Sequence, residues 1–324
     1  MAKISLTVVL AFFANLAVAV AKTIAAALTG SASITAEAAH SWADTGNEIF
    51  LLVADRRGAG KRDAKHPVGY GRESYFWSTI AAFGLFTAGA VVAVYHGVQQ
   101  LIEPEPATDF WIAYLVLGFS CVLEGISFSQ AFRQARAMAR ERGTGTLEQV
   151  LETSNPTLRA VFAEDAAALI GLAIAFLGVL LHQLTGSSVY DAIGSILVGL
   201  LLGVVALVLI DRNRRFIVGQ ETDARVDDAA LRLILGNTEV ERVTYLHLEF
   251  VGSGRVYLVA AIDLAGNETE SAVAVRLRRV EQQLELNEHI EEAVLTLSTP
   301  GEASLVVSDK HASDKHRRAG QSPN

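Results

Sequence analysis

Six runs of predominantly apolar residues, at roughly 4–28, 34–53, 75–102, 110–132, 158–181 and 189–210, fill the first two thirds of the chain. A bilayer core needs about 20 such residues per helix. Long stretches are nearly free of charge while others crowd it. The charged fraction is 19%, against about 25% in ordinary soluble domains. The pattern predicts a membrane protein with polar loops, with no large soluble core. The first run follows Lys3 and contains AVAVA, which a signal peptide could also do. Its length, and its passage through a tight turn at 29–31 into the next run, favour a span.

The loops set the orientation. Arg56, Arg57, Lys61, Arg62, Lys65 and Arg72 follow the second run, Arg133, Arg136, Arg140 and Arg142 the fourth, and Arg212, Arg214 and Arg215 the sixth. The intervening loops carry no Lys or Arg, and one, EPEPATD, is acidic. The positive-inside rule then puts both termini in the cytoplasm. An N-terminal arm rich in Arg and Ser is missing, so no cleaved organelle transit peptide is expected, and the plasma membrane is the default location. The net charge is −8, with much of the acid after Gln220, and no basic domain offers itself to nucleic acid. Cys121 is the single cysteine, so any metal must be held by His, Asp, Glu or Asn.

The second run carries Glu37, His40, Asp44 and Asn47 within AEAAHSWADTGNE. Steps of three, four and three residues put all four on one helical face. An ionisable group facing lipid costs at least about 2.5–3.5 kcal/mol, so this face should line a bundle interior. His40 and Asp44 are spaced to bind one divalent cation; a hydrogen-bond cluster that fixes packing is the other reading. The fifth run opens with Glu164 and Asp165. Neighbours diverge by about 100° around a helix, so one of the two faces inward more than the other. Asp165 is the preferred ligand and Glu164 the alternative. Glu37, Asn47 and Glu124 are candidates to orient ligands or couple protons. Lys22 is expected to snorkel outward, His96 to sit satisfied at an interface, and His182 to lie in an outer loop.

After Glu221 the pattern changes. VDDAALRLILGN reads as an amphipathic helix, VTYLHLEFV and RVYLVAAIDL as strands around a GSG turn, NETESAVAVRLRRVEQQLEL as a helix capped by Asn267 or Thr269, and IEEAVLTLS as a third strand. The order αββαβ predicts a small α+β domain with helices on one sheet face. From about residue 304 periodicity is lost and a disordered tail is expected.

With these residues in view, the sequence resembles the cation diffusion facilitator family of metal transporters. HSWAD matches its second-span His/Asp-x-x-x-Asp motif, HPVGYGRESYFW the stretch that opens its third span, and DAIGSILVGLLL the start of its sixth. AEAAHSWADTGNE and EDAAALIGL are most similar to the branch that contains the mitochondrial zinc transporter of animals. The resemblance implies a six-helix transmembrane bundle at 1–215, a metallochaperone-like cytoplasmic domain at 221–300 and a tail at 304–324. It also implies a homodimer that exports a divalent cation, commonly zinc, in exchange for protons, with no tightly bound cofactor and no enzymatic activity. Its transport site is built from spans two and five, which here means His40, Asp44, Asp165 and Glu164. Many members carry a further span-five ligand where this chain has Val161, so manganese, iron or another divalent cation remains an alternative cargo. Asp63 and His66 match positions that bind metal in some relatives, and His247 is a weak regulatory candidate in the tail domain. An intramembrane metalloenzyme and a non-transporting membrane interaction protein are the rivals from other classes.

Overall fold

A computed structural model describes residues 6–104 and 108–307. The start of the first expected span, the middle of EPEPATD and most of the expected tail therefore lie outside the described residues. The chain divides into two compact units, one from the described parts of Met1–Lys61 and Tyr70–Val218, the other from Arg62–Gly69 and the described part of Gly219–Asn324.

The first unit is helical. Its elements are α1 (Leu6–Thr29), α2 (Ala32–Gly58), α3 (Glu73–Gly84), a π-helical segment (Leu85–Val91), α4 (Val92–Ile102), α5 (Phe110–Arg142), the short α6 (Thr146–Glu152), α7 (Pro156–Thr185) and α8 (Val189–Val218). Among the described residues, four helices are long and apolar enough to cross a membrane: Glu73–Ile102, Phe110–Arg142, Pro156–Thr185 and Val189–Val218. The described apolar part of α1, Asn15–Thr29, is shorter. Glu37, His40, Asp44, Asn47 and Glu48 make the 27-residue α2 too polar to qualify on composition. Of the six expected spans, four thus stand on length and apolarity.

Several helices outrun their apolar cores. α5 continues ten residues past the expected end at 132, because RQARAMARER is a run of good helix formers. Its four arginines are therefore helical, and Gly143 ends the helix at φ 65°. Arg56 and Arg57 fall in the last turn of α2, where the helix dipole favours cations. His182 was expected in an outer loop; it lies inside α7, 4% exposed, with the Phe110 ring edge-on at 5.5 Å. Asn155 starts α7 by accepting from the Leu158 amide at 3.0 Å, with Pro156 at the first helical position.

Small residues set the packing. Ala36, Ala43, Ala90, Ala93, Ala167 and Ala206 join Leu85, Val198 and Leu202 in one core between α2, the π segment, α4, α7 and α8. Gly199 lets α8 touch the π-helical segment: a Cβ there would fall 2.8 Å from the Ala90 carbonyl oxygen. Exposed Trp111, Leu115, Phe119, Val122 and Ile126 form an apolar outer face on α5.

The second unit contains α9 (Ala224–Leu235), β1 (Val240–Gly252), β2 (Arg255–Leu264), α10 (Glu270–Leu284) and β3 (Ile290–Leu297), in the order αββαβ. The sheet order is β1-β2-β3, with β1 antiparallel and β3 parallel to β2. Leu248, Val256, Leu258, Ala260 and Ile262 point to one face and pack with Leu231, Ile234, Val280 and Leu284 of the two helices. Thr269 stands at the N-cap of α10 without a side-chain capping bond. Part of the expected tail is tied down: Leu305 donates its amide to the Val243 carbonyl at 2.7 Å, and Val307 packs on the core.

Candidate metal centre

α2 is fixed at its N-terminus by α8. Asp191, fully buried, accepts from Ser31 Oγ at 2.8 Å, the Ala32 amide at 2.7 Å and the Ser33 amide at 3.3 Å. Ser33 Oγ donates to the Asp191 carbonyl at 2.7 Å, and Gln100 of α4 accepts a further bond from the Ala32 amide at 3.1 Å. First-turn amides otherwise lack helical partners, so an acid from a neighbouring helix both satisfies them and sets the rotation of α2. Asp191 carried no role in the sequence reading; Ser31, Ala32 and Ser33 just ahead of the polar run were its available signal.

That rotation buries the polar stripe. Glu37, His40 and Asn47 are at most 1% exposed, while Trp42, on the other side, is exposed and donates its indole N–H to Thr23 at 2.9 Å. His40 Nε2 and Asp44 Oδ2 are 3.3 Å apart. His40 Nδ1, Asp44 Oδ1 and Glu37 Oε1 are buried without a hydrogen-bond partner. Unsatisfied buried polar atoms are costly and call for a reason. Here the atoms left over are the nitrogen and oxygen donors that bind divalent cations.

α7 brings its acids to two different neighbours. Glu164, buried, accepts from Asn47 Nδ2 of α2 at 3.0 Å. Asp165 accepts from Ser127 Oγ of α5 at 2.7 Å. The pair therefore splits as the helical rotation requires, with Glu164 against α2 and Asp165 against α5. Glu124, Glu164, Asp165 and Lys22 are the charged neighbours that act on Asp44. Among the described residues no three His, Cys, Asp or Glu side chains converge on one point. His40 and Asp44 form a ready pair, and Glu164 and Asp165 are each held by a neutral partner. Val161 packs with Leu51 and Ala160 and contributes no donor.

Lys22 departs from expectation. It does not snorkel outward; it is fully buried, with Nζ 3.0 Å from Glu37 Oε2. A carboxylate on the next helix satisfies the ammonium inside the bundle. His96 borders a cavity of about 250 Å³ with Thr35, Gln99 and Glu103, away from the His40 pair.

The remaining candidates lie in the second unit. Asp63 Oδ1 accepts from the Lys65 and His66 amides, both at 2.8 Å, which makes a tight side-chain-closed turn. His66 Nδ1 is 3.4 Å from the same oxygen, and both side chains are nearly half exposed. His247 stands on β1 opposite Val259, with Glu249 opposite Tyr257.

Residues 8–217 match the family model described as the cation efflux transmembrane domain. Metal tolerance protein C4 of Arabidopsis thaliana is 35% identical over 233 residues, which is 72% of this chain and 51% of that protein. The human protein named proton-coupled zinc antiporter SLC30A9, mitochondrial, is 33% identical over 238 residues, 74% of this chain and 42% of that protein. Zinc transporter ZitB of Pectobacterium atrosepticum is 24% identical over 288 residues, 89% of this chain and 83% of that protein. The match thus spans about half or less of the first two relatives. Family and relatives are cation transporters, not enzymes, and the metalloenzyme alternative falls. The plasma-membrane expectation finds no support, because matching animal relatives are named mitochondrial. An apolar helical unit in which buried His40 faces Asp44, matched across almost its whole length, places this chain as an integral membrane protein of the cation efflux, or cation diffusion facilitator, family, related to the branch of SLC30A9 and metal tolerance protein C4.

Proposed function

We propose that this protein carries a divalent cation, with zinc as its main cargo, out of the cytoplasm in exchange for protons. The observation that carries this reading is the His40–Asp44 pair, whose buried Nδ1 and Oδ1 lack partners and which has Glu164 of the neighbouring helix beside it through Asn47. Intramembrane ionisable residues that face a bundle interior mark ion paths. The relatives named zinc transporter and proton-coupled zinc antiporter support the cargo and the counter-ion.

In this reading α1, α2, the helix from Glu73 to Ile102, α5, α7 and α8 form six spans. The arginine-rich ends and both termini face the cytoplasm. The transmembrane domain covers 1–215, and the αββαβ domain at 221–300 joins two copies into a homodimer. His40 offers an imidazole nitrogen and Asp44 a carboxylate oxygen. Glu164 leaves Asn47, or Asp165 leaves Ser127, to complete the cation's shell. Rocking of the bundle turns the loaded site outward. There protons compete for His40 and the carboxylates, which lowers metal affinity and releases the cargo. Glu37 and Glu124 sit close enough to shape that competition.

The oxygen-rich surroundings favour one variant of this reading. Asp44, Glu124, Glu164 and Asp165 outnumber the single imidazole, and carboxylates suit manganese and iron as well as zinc. Flux into proteoliposomes under an imposed pH gradient, with zinc, manganese, iron, cobalt and nickel compared side by side, decides. Zinc uptake that follows the gradient and disappears in Asp44→Asn supports the proposal. Uptake indifferent to pH or to Asp44 contradicts it.

A further inference from the structure

Lys22 and Glu37 make a fully buried ion pair on facing helices, 3.0 Å apart, with both side chains 0% exposed. A buried pair seldom repays its desolvation in stability, so its position calls for another account. Glu37 precedes His40 by three residues and Asp44 by seven on the same stripe of α2. Glu37 thereby holds the Lys22 ammonium about one helical turn from His40 on that stripe. α7 makes room for the pair at Gly171, where a Cβ would fall 2.6 Å from Glu37 Oε1. The surrounding acids are Glu37, Asp44, Glu48 and Glu124 with Glu164 and Asp165 of α7.

We propose that Lys22, anchored by Glu37, is a resident positive charge that sets the divalent-cation affinity of the His40–Asp44 site. A dication that enters an interior so rich in carboxylates would bind too tightly to leave. The ammonium one helical turn away repels it and weakens the bound state. Glu37 keeps the ammonium from swinging onto Asp44 and filling the site itself. The pair is neutral as a unit, so it can stay buried through the cycle without carrying net charge across the membrane. Lys22 and Glu37 therefore act through the site's electrostatics and not as ligands. This inference rests on the site proposed above.

The test is equilibrium zinc binding to purified full-length protein at one fixed pH. Four forms are compared: wild type, Lys22→Met, Glu37→Gln, and the double variant Lys22→Met/Glu37→Gln. The charge of the pair is zero in wild type and in the double variant, negative in Lys22→Met and positive in Glu37→Gln. Affinity should follow that order: about tenfold tighter in Lys22→Met, about tenfold weaker in Glu37→Gln, and near wild type in the double variant. Lys22→Arg keeps the charge and should keep the affinity, which a purely packing role for the lysine stem would not require. Should Lys22→Met fail to fold with Glu37 left unpaired, the double variant against Glu37→Gln alone still isolates the lysine. The double variant should then bind more tightly. Wild-type binding with no ordering by charge overturns this inference alone. A wild-type protein that binds no zinc overturns the site reading and this inference with it.

Discussion

Asn47 Nδ2 of α2 meets Glu164 Oε1 of α7 at 3.0 Å, a bond between residues 117 apart in sequence. With the bond from Thr157 Oγ1 to Asp55 Oδ1 at 2.8 Å, it links the helix that carries His40 and Asp44 directly to the helix that carries Glu164 and Asp165. Glu164→Gln keeps a bonding partner for Asn47 but loses the charge. Zinc flux should fall at least about tenfold with little change in melting temperature. Asn47→Leu should lower both, because it leaves Glu164 buried and unpartnered. Flux and thermal unfolding on the same preparations check this.

Asp191 predicts a structural effect on the site. It accepts three bonds from residues 31–33 at the start of α2. Asp191→Ala removes a charged acceptor from several buried donors and should cost about 2–4 kcal/mol. The loss should appear as a lower unfolding temperature in detergent. Hydrogen exchange should rise first at the N-terminal turn of α2.

Arg159 predicts a similar loss at the other end of the bundle. It is 1% exposed and donates to the Thr153 carbonyl at 2.7 Å and to Asn213 Oδ1 at 2.6 Å, with its guanidinium 5.3 Å from the centre of the Phe216 ring. Tyr75 stacks on that ring at 4.9 Å. A planar fork serves two acceptors at once, and an ammonium cannot copy it. Arg159→Lys should therefore destabilise the bundle nearly as much as Arg159→Met, by about 2–3 kcal/mol, as measured by thermal unfolding.

Gly199 predicts a packing effect. Its Cβ would meet Val94 Cγ2 at 2.7 Å and the Ala90 oxygen at 2.8 Å. The oxygen is backbone and cannot swing aside. Gly199→Val should push α8 from its neighbour and cost about 1–3 kcal/mol, while Gly118→Val, where nothing lies within 4 Å of a Cβ, should be tolerated.

What could be read in advance follows from which signals are local. The polar stripe on α2 was legible because helical spacing alone puts Glu37, His40, Asp44 and Asn47 on one face. The αββαβ order was legible because strand alternation and turn residues are short-range patterns. The partner of Lys22 was not legible. Snorkelling and pairing both satisfy a lysine, and only the docking of α1 on α2 chooses between them. The split between Glu164 and Asp165 was foreseen as a rotation problem, but its outcome depended on where Asn47 and Ser127 fall on other helices. Asp191 escaped notice for the same reason: its partners lie about 160 residues away. The polarity that marks α2 as the site helix is also what removes it from a count of apolar spans.

The central claim, a cation site built on His40 and Asp44 beside Glu164 and Asp165, is tested most directly by zinc stoichiometry in the purified protein. The measurement is bound zinc per chain by elemental analysis after equilibrium dialysis, for wild type and for the variant His40→Ala/Asp44→Asn. The account predicts one intramembrane zinc per chain in wild type and its loss in the variant, with the helical content of the two proteins equal. Equal zinc in both would contradict it.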